Sequence, residues 1–466
     1  MKIGLEAHVQ LTTQTKLFCG CANKFVESPN TLTCEYCLGM PGSKPRLNER
    51  AVEFALRIAL ALNCKIPQET YFSRKTYFYP DMGKNFQITQ YEIPVAKEGF
   101  VRVGNKKITI NRIQIEEDPA RIVHVSGAGA GSITEAEYVL VDYNRSGVPL
   151  CEIVTAPDFT SPREARLFLQ ELSSILQYLE VFNPDVEGSM RVDANISVGP
   201  SRVEVKNISG FKEVERALTY EAIRQQNMIK RGKHVLRETR HWDDAAGVTR
   251  SLRTKEEEED YGYIFEADLP RIVIHESKLA EIKKSLPELG HEKIDRYTKT
   301  LGIGMDLAIS IASEPDLAEM FEQVTQEIEP KTAAKWFAGD IKKTLNFNNM
   351  RIKDTKLTAK NITRLLKLVE ERKITESTAE LILRDMIFKP VNLEELIKKE
   401  DVERIYSEDT LGPIVKEVLD ENPRVILDYK SGKGEAFHFL VGAIMKKTKG
   451  RGDPETIRRL LQRRLQ

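Results

Sequence analysis

Four cysteines near the N-terminus carry the most specific chemistry in the chain: Cys19-x-Cys21, twelve residues, then Cys34-x-x-Cys37. Two close pairs joined by a short loop can place four sulfurs tetrahedrally around Zn²⁺. The loop between them holds Asn23, Ser28, Pro29, Asn30 and Thr31, residues that favour turns. Buried thiols or one disulfide pair would use the same residues. The paired short spacing in a chain without a secretory leader favours metal. Four thiolates leave no coordination position open, so zinc here would be structural.

The second chemistry lies on strands. From Ile3 to Leu11, the odd positions Ile3, Leu5, Ala7, Val9 and Leu11 are apolar, and the even positions are Glu6, His8 and Gln10. Side chains alternate faces along a strand, so Glu6 and His8 stand together, away from the core. A carboxylate and an imidazole so placed can share a metal ion or a proton; a solvated strand face would look the same. A hairpin repeats the device. Arg191, Asp193, Asn195 and Ser197 alternate with Val192, Ala194, Ile196 and Val198, and after Gly199-Pro200-Ser201, Arg202, Glu204 and Lys206 alternate with Val203 and Val205. Its polar face mixes carboxylates that suit Mg²⁺ with cations that suit phosphate, which makes Arg191, Glu204 and Lys206 candidates for nucleotide binding. Surface hairpins mix charges too.

Arg74 and Lys75 precede Tyr77, Phe78, Tyr79, Pro80 and Asp81. That grouping could stack a base and contact a phosphate, or form an amphipathic edge of the core. Glu116, Glu117 and Asp118 stand together before Pro119. Like charges so close repel unless a cation neutralises them, which points to Mg²⁺ or to an exposed acidic turn. Val141 to Gly147 combines polar groups with a tight turn. No G-x-x-x-x-G-K-[ST] is present, and the glycine-rich stretch from Ser126 to Ser132 lacks the lysine of a phosphate cradle. There is no G-x-S-x-G elbow and no glycine/serine-rich amidase signature. If ammonia is used, another chain must make it.

These groups need scaffolds, and the chain is long enough for several. It has 466 residues, so two or three domains are expected. Lys+Arg and Asp+Glu both number 70, so a nucleic-acid surface must be a local patch. The mean hydropathy is −0.38, no stretch approaches the roughly 20 apolar residues of a membrane span, and no signal peptide is seen. The expected compartment is cytoplasmic. Cys64 and Cys151 read as core residues. Up to about residue 280 the pattern is β-rich with helices inserted; beyond it, helical spacing dominates, as in Asn361–Glu371 and from Leu393. Thr375 and Ser407 read as helix caps, and Pro390 and Pro423 punctuate the helices. The acidic run Glu256–Asp260 reads as solvated surface.

Taken in order, these motifs resemble one family closely: the B subunits of the glutamine-dependent aspartyl/glutamyl-tRNA amidotransferases. The resemblance is carried by Ile3–Leu11, Pro29-Asn30-Thr31, Cys34–Gly42, Arg74–Asp81, Gln87–Tyr91, Ile115–Asp118, Val141–Arg145, Asp193-Ala194-Asn195, Glu238–Asp243, Gly247–Arg253 and Asp268-Leu269-Pro270. It continues through Tyr429–Gly434 and Phe439–Lys446, so it covers nearly the whole chain. The related E-type subunits carry a large insert for which there is no room between Pro270 and Leu286.

The resemblance implies an α+β fold. An antiparallel-sheet cradle of the glutamine synthetase and guanido kinase type would span residues 1–280, an all-α domain 281–400, and a YqeY-like, tRNA-binding helical tail 401–466. It implies that the cradle uses ATP to activate the side-chain carboxylate of misacylated Asp-tRNA(Asn) or Glu-tRNA(Gln). Ammonia channelled from the amidase, or glutaminase, A-type subunit would then complete the amide. A small C-type subunit would complete a heterotrimer, and a non-discriminating aminoacyl-tRNA synthetase is a further candidate partner. Carried over residue by residue, Glu6, His8 and Glu117 match a Mg²⁺ site, while Lys75 and Asp193 match residues lining the reaction site. A regular strand, however, would place Glu117 with Ile113 and Ile115. Two departures, Gln114 where the family often has His and Gly83 where it has a proline, bear only on local geometry. The basic tail segments Lys446–Arg451 and Arg458–Arg464 would grip the tRNA body. Two other readings stay open: a stand-alone ligase of the glutamine-synthetase type, and a non-catalytic tRNA-binding scaffold.

Overall fold

The computed structural model describes residues 1–126, 129–130, 137–254, 262–399 and 404–465. The acidic run 256–260 and most of the glycine-rich stretch after Ser126 lie outside the described residues. The chain divides into two compact units, Met1–Leu289 and Gly290–Gln466.

The first unit is built on an eight-stranded sheet. Its strands, in chain order, are β1 (Lys2–Gln10), β2 (Ala96–Val103), β3 (Lys106–Glu117), β4 (Pro149–Thr155), β5 (Met190–Ser197), β6 (Val203–Ser209), β7 (Glu238–Asp243) and β8 (Val248–Thr254). The spatial order is β8-β7-β6-β5-β1-β4-β3-β2. All neighbours are antiparallel except β6 and β7, which run parallel. Between β6 and β7 the chain runs through a 20-residue helix (Phe211–Lys230), a crossover long enough to return it to the end of the sheet it left.

The period-two alternation of β1 is borne out. Ile3, Leu5, Ala7 and Val9 are buried, while Glu6, His8 and Gln10 are half-buried. Ile113, Ile115, Cys151, Ile153, Val192, Ala194, Ile196, Val203 and Val205 extend the apolar face across the sheet. Helices α1 (Glu49–Ala61), α2 (Pro162–Tyr178) and α3 (Phe211–Lys230) pack on the sheet. Fully burying one such aliphatic side chain is worth roughly 1.5–3 kcal/mol, so this layer fixes the register, and a one-residue slip would turn Glu6 and His8 into the core. Asn48 caps α1 through Arg50 N, and Ser161 caps α2 ahead of Pro162.

A three-stranded sheet, ordered 262–265, 73–76, 86–89, packs its last strand against β3. Cys151 is buried and Cys64 half-buried. In the second unit every described element is helical. Thr375 caps Glu376–Phe388, while Ser407 sits at a helix start without a side-chain bond. Helices Glu408–Glu421, Gly434–Lys447 and Pro454–Leu465 share a core of Leu411, Val415, Val418, Leu440, Ile444, Ile457 and Leu461. Among the described residues no helix is long and apolar enough to cross a membrane.

Candidate active site

The strand register assembles the polar face row by row. Glu6 pairs with Asp193 on one side of β1, and His8 pairs with Glu152 on the other side and with Arg191. Two clusters result, in each of which one donor atom per residue lies within 4.8 Å of the others. One joins His8, Glu116 and Glu152; the other joins Glu6, Asp193 and Glu204. A Mg²⁺ ion at about 2.1 Å from each ligand separates opposite ligands by about 4.2 Å. The span of either cluster, within 4.8 Å, is of the size one ion would bridge.

The electrostatics agree. Glu6 is pushed above the usual carboxyl range by burial and by the charges of Glu152, Asp193 and Glu204. Glu116 is pushed up to about 7 by burial and by Glu152. Burial works against charge on His8, but Glu152 and Glu116 outweigh it and hold the imidazole above its ordinary value. A half-buried face that strains its own carboxylates in this way favours a bound cation.

Supporting bonds hold these groups in place. Asn195 Nδ2 donates to Glu6 at 2.9 Å, Gln114 Nε2 to Glu152 at 2.5 Å and Thr239 to Glu204 at 3.2 Å. Lys206 Nζ lies between Asp193 (3.9 Å) and Glu204 (3.8 Å). The buried Asp118 accepts from Arg191 at 2.8 Å and from Gln10 at 3.1 Å.

The residues singled out from sequence are therefore only partly brought together. Glu6, His8, Asp193, Glu204, Lys206 and Arg191 share the face. Lys75, on strand 73–76, lies near enough to Glu116 to favour its ionised form. Glu117 does not join Glu6 and His8. Its carboxylate accepts from Lys84 at 2.5 Å and Ile88 N at 2.9 Å, and its neighbour Glu116 stands 3.7 Å from His8. The reason is strand parity: on β3, Gln114 and Glu116 face the site, while Glu117 turns away. Arg74 is bound bidentately by Glu266, at 2.7 and 2.8 Å, so its fork is taken by protein. Glu152 carries no motif in the sequence, though a lone acid inside an apolar strand, Leu150-Cys151-Glu152-Ile153, is itself a signal.

The four N-terminal cysteines converge. All six cysteines of the chain are free thiols, so no disulfide pair forms. Cys37 Sγ lies 3.5 Å from Cys19 and 3.8 Å from both Cys34 and Cys21. Sulfurs at 2.3 Å from zinc are about 3.8 Å apart in a tetrahedron, so the set fits the ion. The hydrogen bond shared with Cys19, together with Lys16, holds Cys37 down to about 4. Lys16 is fully buried, and its ammonium donates to Leu32 O (2.9 Å), Tyr143 O (3.2 Å) and Cys37 Sγ (3.4 Å).

Comparison with known proteins adds a family. Residues 1–280 match the GatB/GatE catalytic domain, and residues 319–465 match a GatB domain. The chain is 44% identical to the B subunit of the aspartyl/glutamyl-tRNA(Asn/Gln) amidotransferase of Thermotoga maritima, over 100% of this chain and 98% of that one. It is 42% identical to the protein of that name from Haloquadratum walsbyi, over 100% and 97%. For the one from Halobacterium salinarum the identity is 43%, over 99% and 96%.

Proposed function

Because the chain belongs to the GatB/GatE family, we propose that it is the B subunit of a tRNA-dependent amidotransferase, which converts misacylated Asp-tRNA(Asn), Glu-tRNA(Gln) or both to the amide. Family membership carries this reading, and the pair of donor clusters on one sheet face supports its Mg²⁺-dependent ATP chemistry. The substrate carboxylate attacks the γ-phosphorus of ATP, giving an acyl phosphate and ADP. Ammonia from glutamine, released by the glutaminase partner and led through a channel, adds at the acyl carbon and expels inorganic phosphate. No covalent bond to the protein is required.

His8, Glu116 and Glu152, with Glu6, Asp193 and Glu204, are the residues that would hold Mg²⁺, and Glu116 takes the place that the family resemblance assigns to Glu117. Bound there, Mg²⁺ neutralises phosphate oxygens. Lys75 brings positive charge toward the acyl phosphate as it forms. Asn195 orients Glu6, and Arg191, anchored on Asp118, fixes the end of the face. The cradle fold of the glutamine-synthetase type and a boundary near residue 400 before a YqeY-like tail belong to the same reading. So do a small C-type partner, a heterotrimer, a non-discriminating synthetase as an added partner, and a cytoplasmic setting.

The test is ATP cleavage by the purified complex. Cleavage that requires misacylated tRNA supports the reading. Cleavage with a free amino acid and ammonia alone would make the chain a stand-alone ligase, and tRNA binding without cleavage would make it a scaffold. Assaying each misacylated tRNA separately decides the substrate.

We assign a structural Zn²⁺ to Cys19, Cys21, Cys34 and Cys37. Metal analysis is expected to give close to one zinc per chain, lowered in Cys34→Ser. A zinc-free wild-type protein of full stability would end that assignment. In the tail, Lys446 and Arg458 are exposed and are proposed to contact tRNA phosphates. Lys446→Glu combined with Arg458→Glu should weaken tRNA binding several-fold and flatten its salt dependence, by a slope of roughly 0.7–0.9 per lost contact. Unchanged affinity and slope would remove both residues from the tRNA surface.

A further inference from the structure

We propose that the cysteine knuckle sets the geometry of the carboxylate site, and that Tyr36 and Lys84 are the positioning residues that connect the two. The proposal rests on the reading of that face as the Mg²⁺-dependent centre.

Tyr36 sits inside the Cys34-x-x-Cys37 turn and is 5% exposed. Lys84 lies with its ammonium 4.3 Å from the centre of the Tyr36 ring. That ammonium donates to the Tyr36 hydroxyl at 2.8 Å and to Glu117 Oε1 at 2.5 Å. The hydroxyl donates in turn to Glu117 Oε2 at 3.4 Å. Gln87 Nε2 holds the Glu117 carbonyl at 2.8 Å. Glu117 is thus gripped at the side chain and the backbone, with the knuckle supplying one of the grips.

The second link is backbone against backbone. Gly39, with φ +68°, faces Gly83. A Cβ on Gly39 would lie 2.4 Å from the Gly83 carbonyl carbon, and one on Gly83 would lie 2.7 Å from Leu38 O. Only bare backbone allows this approach, so the knuckle and the loop carrying Lys84 are held face to face.

The consequence passes through one peptide bond. Glu116 and Glu117 are the last residues of β3, just before Asp118-Pro119. They point to opposite faces, so what anchors Glu117 on one side of the sheet aims Glu116 at His8 on the other. An open knuckle releases Tyr36, loosens Lys84 and lets the end of β3 drift. A drift of a few tenths of an ångström matters for an ion whose coordination shell tolerates little distortion.

The test is Mn²⁺ titration, followed by electron paramagnetic resonance, of the full complex with wild-type or variant chain. Tyr36→Phe should weaken Mn²⁺ binding by about three- to tenfold, the usual worth of one hydrogen bond, with zinc still near one per chain. Lys84→Met should weaken it further, and Lys84→Arg should recover part of the loss. Tyr36→Phe should also raise KM for Mg-ATP more than it lowers kcat. Wild-type Mn²⁺ affinity in both Tyr36→Phe and Lys84→Met would overturn the proposal while leaving the site itself standing. If Glu116→Gln leaves Mn²⁺ affinity at the wild-type value, the assignment of the site falls, and this inference with it.

Discussion

Glu6→Gln lowers tRNA-dependent ATP cleavage by about a hundredfold or more, the scale seen when one preorganised electrostatic group leaves a reaction centre. The substitution preserves shape. The new amide oxygen can still accept from Asn195, whose Nδ2 lies 2.9 Å from Glu6 Oε1. What is lost is one of the three carboxylates that share a cluster. The loss should not come from unfolding, because the ionised form of Glu6 is disfavoured by burial and by three neighbouring acids. Without divalent ions the variant should therefore melt at or above the wild-type temperature. Glutaminase activity of the partner should be unaffected. Amidation at the wild-type rate would remove Glu6 from the reaction.

Asp118→Ala destabilises the first unit by about 3 kcal/mol or more, because removing one partner of a buried ion pair leaves uncompensated charge at a cost of roughly 3–5 kcal/mol. Asp118 is fully buried. Its carboxylate takes Arg191 at 2.8 Å and Gln10 at 3.1 Å, with Arg145 Nε at 3.7 Å. In the variant two guanidinium groups are left facing each other. Both are partly exposed, so the lower end of that range applies. Asp118→Asn keeps the acceptor and should cost less than the alanine. The measurement is the shift in urea midpoint for the transition of the first unit. A loss below about 1 kcal/mol, the worth of an exposed pair, would show that solvent already neutralises the arginines.

Much of the site was legible because strands write their faces into the sequence. Ile3–Leu11 and the hairpin through Arg191 and Lys206 each alternate cleanly, and the structure puts their polar residues on one surface. The acidic triplet was harder. Its parity favours Glu116, the resemblance favours Glu117, and only the pairing of Glu116 with Leu150 and the capture of Glu117 by Lys84 decide which carboxylate faces His8. Arg74 misleads because sequence shows a cation beside aromatics but not the partner, Glu266, which lies far along the chain. Lys16, fully buried, and Lys84, half-buried, give no local signal, since a lysine held by protein partners reads like any surface lysine until those partners are known. The parallel pair of β6 and β7 is also hidden. Strand patterning sets a strand's faces but not its direction relative to a neighbour.

β1 lies between β4 and β5, and its Glu6 pairs with Asp193. The earliest of the sheet's strands to leave the ribosome is thus an inner one, and both of its flanks are made much later. At about 5–20 residues per second, the second flank follows after roughly ten to forty seconds. During that interval both backbone edges of β1 await their partners and Ile3, Leu5, Ala7 and Val9 form an apolar face with no permanent cover, which is where a nascent chain is most exposed to wrong pairing. The residues proposed for catalysis are carried by that same strand. Any ribosome stall before residue 190 would therefore release a product in which Glu6 lacks its cluster partners Asp193 and Glu204, with an adhesive strand edge where β5 should pair.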